Sequence, residues 1–129
     1  MSQITVLDMV KAHDGAGSGL DADLVQGVPK NLLGIGGDGY SWHDETSNRS
    51  AGTTYTNTTG KPIMVNIFSN QGNNCTVSIE VFIDGVSVPL AADNSSDYPQ
   101  CGGNVIVPAG STYKVAIYNA SVNKWLELK

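Results

Sequence analysis

The side chains able to do chemistry are few and scattered. His13 and His43 are the only histidines, and Cys75 and Cys101, 26 positions apart, are the only cysteines. A nucleophilic triad needs a Ser or Cys, a His and an acid brought together. No G-x-S-x-G elbow occurs, and His43 has Asp44 beside it but no marked nucleophile. Paired carboxylates can hydrolyse glycosidic bonds. The local pairs, Asp21/Asp23, Asp44/Glu45 and Asp93/Asp97, all lie in turn-like hydrophilic sequence, where solvated carboxylates are expected. The stretch Asp14–Asp23 lacks the D-x-D-x-D-G spacing and closing Glu of a calcium loop. Two cysteines without nearby histidines do not make a zinc site. The glycines of 34–39 are followed by no G-K-[ST], so they do not cradle a phosphate. The expectation is a protein with no catalytic residue, no metal and no cofactor.

Recognition chemistry is better represented. Sugars are bound by an aromatic platform, on which CH groups stack, flanked by polar side chains that pair with hydroxyls. Asp93-Asn94-Ser95-Ser96-Asp97-Tyr98 has that mix and sits in a turn-rich stretch, Ala91–Gly103. Loops of that length are usually functional or disordered. Tyr98 is the expected stacking residue, with Asp93, Asn94 and Ser96 as hydrogen-bond partners. A mobile polar loop is the competing reading. Five Asn-x-Ser/Thr sequons, at Asn48, Asn57, Asn74, Asn94 and Asn119, follow from a composition rich in those residues.

The chain that must position these groups has 129 residues, the length of one domain. Charged residues are 15 % of it, against roughly 25 % in typical soluble domains. Net charge is -5, with no two basic residues adjacent, which argues against nucleic acid as a partner. No apolar run approaches the ~20 residues of a membrane span. Met1–Val10 lacks the basic and apolar regions of a secretory leader. Synthesis in a cytoplasm is expected, with both thiols free unless the protein works outside a cell. Cys75, in strand-like sequence, reads as a buried thiol.

Patterning divides the chain near residue 40. Residues 1–39 hold eight of the fifteen glycines and short apolar clusters that include Leu20, Leu24, Val25, Leu32 and Leu33. A short helical turn is expected over Ala22–Gln26, capped by Asp21 and stopped by Gly27. Otherwise the segment reads as an extended arm that buries its apolar clusters only against another subunit or protein. Residues 40–129 alternate with period two, as in Ile63/Val65/Ile67, Val77/Ile79/Val81/Ile83 and Tyr113/Val115/Ile117. Strands are expected at 40–44, 50–57, 62–69, 75–83, 86–90, 104–108, 112–119 and 122–128. Asp84-Gly85 predicts a tight hairpin with a primed turn. Eight short strands without helix predict an all-β fold, an antiparallel β-sandwich of jelly-roll type. Trp42 and Trp125 are expected in its core or at a subunit interface.

Two stretches carry a family likeness. Gly15-Ala-Gly-Ser-Gly-Leu-Asp-Ala-Asp-Leu-Val-Gln-Gly27 resembles a linker segment of bacteriophage tail-fibre and related fibre proteins. Trp42-His-Asp44, Arg49, the run Tyr55-Thr-Asn-Thr-Thr-Gly-Lys-Pro-Ile63 and the later Val107-Pro-Ala-Gly-Ser-Thr-Tyr113 are similar to the C-terminal domain of such fibres. The chain departs from long fibres in joining the two parts with no shaft between them. The resemblance implies a phage virion protein, a homotrimer attached through its arm to tail or capsid proteins. A short fibre binding host-surface polysaccharide is the leading expectation. Head fibre or capsid decoration is the alternative, and a glycan depolymerase is a third. If the two-part division holds, deleting residues 1–30 abolishes particle attachment and leaves the sandwich folded. Co-sedimentation with particles and circular dichroism check this, and loss of the β spectrum on truncation would refute it.

Overall fold

The computed structural model describes Leu24–Val25, Val28–Pro29, positions 35 and 37, and residues 39–72 and 76–129. It comprises two units, Met1–Gly39 and Tyr40–Lys129. Leu20, Leu32, Leu33 and Cys75 lie outside the described residues, as do Asp21, Asp23 and His13.

In the first unit, β1 (Leu24–Val25) pairs antiparallel with β2 (Val28–Pro29), Val25 opposite Val28. The helical turn expected over Ala22–Gln26 is therefore wrong at Leu24 and Val25, which are strand. The sequence holds a reason. Two residues, Gln-Gly, separate two β-branched valines, which is the spacing of a two-residue hairpin.

Among its described residues the second unit holds eight strands: β3 (Trp42–Asp44), β4 (Thr54–Thr56), β5 (Ile63–Ser69), β6 (Val77–Ile83), β7 (Val86–Asp93), β8 (Gly102–Val107), β9 (Thr112–Tyr118) and β10 (Val122–Leu128). All pairings are antiparallel and nested: β6 with β7, β5 with β8, β4 with β9, β3 with β10. That nesting is one long two-stranded ribbon. Rolling it places β10 beside β5 and β9 beside β6, giving sheets ordered β3-β10-β5-β8 and β4-β9-β6-β7. This is the jelly roll expected from the strand count.

Alternation decides what lies between the sheets. Ile63, Val65 and Ile67 of β5, Val77, Ile79 and Val81 of β6, and Tyr113 and Val115 of β9 are buried. Trp125, Val107 and Cys101 complete the core. Asp84 (φ 50°) and Gly85 (φ 81°) both occupy the left-handed region between Ile83 and Val86, as a type I′ hairpin requires.

Several boundaries differ from expectation: β3 begins at Trp42 rather than 40, β4 spans only Thr54–Thr56 of the expected 50–57, and β8 begins at Gly102 rather than 104. β7 runs on past Leu90 to Asp93, because one extra residue, Leu90, bulges between the Glu80–Pro89 and Ile79–Ala91 pairs and resets the register. Pro89 is tolerated there because β7 is an edge strand. The connection expected over Ala91–Gly103 is thus shorter, residues 94–101.

The Tyr55–Ile63 motif has a structural meaning. Asn57 is buried at the end of β4. Its Nδ2 donates to the carbonyls of Lys61 (2.8 Å), Val107 (3.1 Å) and Pro108 (3.1 Å). Its Oδ1 accepts from Thr59 N–H and Oγ1–H. One side chain thereby locks the β4–β5 connection onto the β8–β9 connection. Asn57→Ala strands several buried polar groups, so a loss of about 2–4 kcal/mol is expected in denaturant unfolding. An unchanged midpoint would contradict this account.

Candidate functional site

Two regions of the sandwich concentrate polar or aromatic side chains. One is a charged cluster built around Glu127. Glu127 lies on the inward face of β10 and is 1 % exposed. Its Oε1 accepts from Tyr113 Oη (2.8 Å), Arg49 Nε (3.0 Å) and Trp125 Nε1 (3.2 Å). Its Oε2 accepts from Lys129 Nζ (3.0 Å) and Arg49 Nη2 (3.3 Å). Lys129 also reaches Glu45 Oε1 at 3.0 Å. The Arg49 guanidinium covers the Tyr55 ring at 4.7 Å, and Tyr55 meets Trp125 edge-on at 5.9 Å.

A buried, perturbed carboxylate is a common mark of an active site. The electrostatics here argue for structure. Burial by itself would push the Glu127 carboxyl up; hydrogen bonds from Arg49, Lys129 and Tyr113 outweigh it and hold the group below its ordinary value. Burial and the neighbouring Glu127 push the Tyr113 phenol up. The carboxylate is therefore ionised and the phenol neutral, with donors on both carboxylate oxygens. No buried side-chain N or O among the described residues lacks a partner.

The other carboxylate candidates are also engaged. Asp44 Oδ2 accepts from Lys124 Nζ at 2.7 Å and Oδ1 from Thr46, which lowers its pKa. Glu45 is lowered by Lys129 and Asn48. Asp44 and Glu45 therefore share no proton as an acid–base pair would. His43 is exposed on the edge strand β3, its Nε2 3.0 Å from Ser41 Oγ. Its neighbour Asp44 is turned to Lys124 and Thr46 rather than to the imidazole.

The second region is one end of the sandwich, where three connections meet. Gly72 N–H donates to Pro99 O, and Asn70 N–H to Ser121 O, each with a donor–acceptor distance of 2.9 Å or less. Asn119 Nδ2 donates to Thr76 O at 3.1 Å. These bonds gather residues 70–72, 94–101 and 119–121. Asp93 closes the 94–101 loop: Oδ1 accepts from Ser95 N–H and Oδ2 from Gln100 N–H, both at 2.9 Å. Those two bonds lower its pKa. Asp93 is thus a loop staple more than a free ligand group.

Asn94, Ser96 and Tyr98 project from that stapled loop and are exposed. Tyr98 is 68 % exposed and has φ 52°, a conformation that bulky residues rarely adopt. Tyr118, at the end of β9, is 63 % exposed at the same end of the sandwich. Sequence reasoning missed Tyr118 because it alternates in phase with a regular strand. Its outward position beside the Asn119 turn (φ 57°) was the signal available. The four glycan candidates thus share one loop, three as exposed side chains and one as its brace. Of the five attachment candidates, Leu24 and Val25 lie on β1, in the other unit.

The Glu127 cluster makes a pH prediction. A depressed folded-state pKa gives stability that is present above the unfolded value, about 4.3, and lost as pH falls through the folded value. Unfolding midpoints should hold from neutral pH to about pH 5 and fall below it. Glu127→Gln should lose about 3–5 kcal/mol at neutral pH and show a flatter acid decline. A variant that keeps the wild-type acid profile would sink the assignment. Compared with protein-family models and with curated proteins, the chain finds a match among neither.

Proposed function

We propose that this chain is a non-enzymatic structural protein of a phage virion. In this reading the segment 1–39 attaches it to other virion proteins and to sister subunits in a homotrimer. The sandwich projects outward, and its loop end binds a host-surface glycan. The likeness to fibre proteins supports the virion setting. The observation that carries the binding role is the Tyr98 loop. An aromatic ring stands exposed on a backbone fixed by Asp93, beside Asn94 and Ser96 and at the same end as Tyr118. A rigid, exposed aromatic with amide and hydroxyl neighbours suits a sugar's mixed apolar and hydroxylated faces, and loses little entropy on binding.

Capsid decoration is the second reading. The likeness to fibre proteins does not fix a position in the particle. Copy number separates the two. Tens to hundreds of copies against the major capsid protein would place the chain on the shell, whereas a few, in multiples of three, would place it at the tail.

The glycan role is tested by binding of the purified full chain to extracted host-surface polysaccharide. Tyr98→Ala should weaken binding about tenfold, equivalent to about 1.4 kcal/mol. Tyr118→Ala should weaken it less, and neither should alter the unfolding midpoint by more than about 0.5 kcal/mol. Equal binding by wild type and Tyr98→Ala would reject the site.

A further inference from the structure

Register sorts the outward side chains of the β4-β9-β6-β7 sheet into rows. At the loop end, Tyr118 of β9, Ser78 of β6 and Ala92 of β7 lie in one row. Ala116, Glu80 and Pro89 form the next, and Lys114, Phe82 and Ser87 the one after. Ser78 and Ala92 are short, so the surface drops beside the exposed Tyr118. The Leu90 bulge bends β7 between the first two rows. The result is a shallow depression of about 450 Å³, with Ser78, Glu80, Pro89, Leu90 and Ala92 among its lining residues. That volume lies in the range of small-ligand sites, roughly 300–1,000 Å³.

We propose that this depression is a second saccharide subsite, and that its ligand is an extended glycan without acidic groups. The inference rests on the glycan role given to the Tyr98 loop, and adds to it a contact and a ligand class. Continuity supports it. Ala92 immediately precedes Asp93, the residue that staples the Tyr98 loop. Tyr118 borders the depression on the β9 side, at the same end of the sandwich as Tyr98. The chemistry also suits a sugar. Ser87 Oγ donates to Glu80 Oε1, and Glu80 Oε2 accepts from no described residue. A carboxylate oxygen with free lone pairs takes charge-assisted hydrogen bonds from ligand hydroxyls. The Tyr118 ring offers the apolar surface on which sugar CH groups stack.

Spacing sets the length of the ligand. Tyr118 and Ala92 are two strands apart, about 10 Å between backbones. One sugar ring does not bridge that distance, so the surface suits several linked rings rather than a single terminal sugar. Charge selects among polysaccharides. Glu80, Asp93 and Asp97 are the acids of this surface. Lys114 is the one base at the outward positions of this sheet, and it covers the Phe82 ring at 4.7 Å. The loop segments 70–72, 94–101 and 119–121 contain no Lys or Arg. Three acids against one base leave an acidic surface, which repels polysaccharides bearing uronate or phosphate. An uncharged chain meets no such penalty.

The test measures binding of the full chain to extracted host-surface polysaccharide, split on an anion exchanger into neutral and acidic fractions. The neutral fraction is also cut to single repeats. The expected result is binding of the neutral fraction, about tenfold tighter for long chains than for single repeats. Ala92→Trp fills the depression from an exposed position on an edge strand. It should remove that tenfold gain and leave single-repeat binding unchanged. Glu80→Gln should also weaken long-chain binding, whereas Thr56→Trp, at the far end of the same sheet, should not. Should Ala92→Trp fail to fold, Glu80→Gln against Thr56→Trp decides. Equal loss on long chains and single repeats means that Ala92→Trp acts through the neighbouring Asp93 staple, and overturns the subsite. Binding that needs Tyr98 but ignores both Ala92→Trp and Glu80→Gln overturns the subsite and leaves the loop reading standing. Preference for the acidic fraction overturns the ligand class. Binding to neither fraction rejects the loop reading and the subsite together.

Discussion

A single buried carboxylate organises this sandwich. Glu127 enters from β10 and is met by Tyr113 from β9 on the opposite sheet, by Trp125 and Lys129 from its own strand and its continuation, and by Arg49 from the β3–β4 connection. An ionised group in an apolar interior is costly unless every lone pair is answered by a donor. Here the donors come from both sheets and from the long connection that crosses between them. The carboxylate is satisfied only when the ribbon is rolled in one register. A slip of β10 by one residue would send Glu127 to the outside and Leu128 inward, leaving Arg49 and Tyr113 without their acceptor. The cluster therefore specifies the fold more surely than it adds to its stability.

The Asn57 lock performs a similar task with an uncharged group, where the β4–β5 and β8–β9 connections meet. It holds two connections by five hydrogen bonds. Together the two polar knots leave the loop end at Tyr98 braced by its own staple, Asp93. The Asp93 staple fixes the backbone on which the exposed Tyr98, with its positive φ, stands. Were the loop free, its ordering would offset much of any contact it made.

The fibre likeness acquires a physical content from this. Trp42, Asp44, Arg49, Tyr55, Asn57 and Lys61 were the residues that carried it. Arg49, Tyr55 and Asn57 turn out to hold the sandwich together, and Asp44 pairs on its surface. These residues serve the sandwich itself, so any binding target is left to loops outside the motif, such as residues 94–101. Functional assignment rests on those loops.

The strand pattern was legible in the sequence because it depends on local facts. Alternation over Ile63–Ser69 and Val77–Ile83 fixes which side chains face the core, and Asp84-Gly85 fixes the turn between two strands. The division near residue 40 and the eight-strand count follow from the same short-range signals. The helical turn at Leu24 and Val25 failed because capping signs were read where a two-residue hairpin was encoded. The end of β7 failed because a bulge changes register without changing composition. What only the tertiary structure decided is long-range. Arg49 and Glu127 are 78 positions apart, and Trp42 and Ile106 lie 64 apart on different edges of one sheet. No window of sequence holds both members of either pair. Their meeting depends on how the ribbon rolls, a property of all eight strands at once.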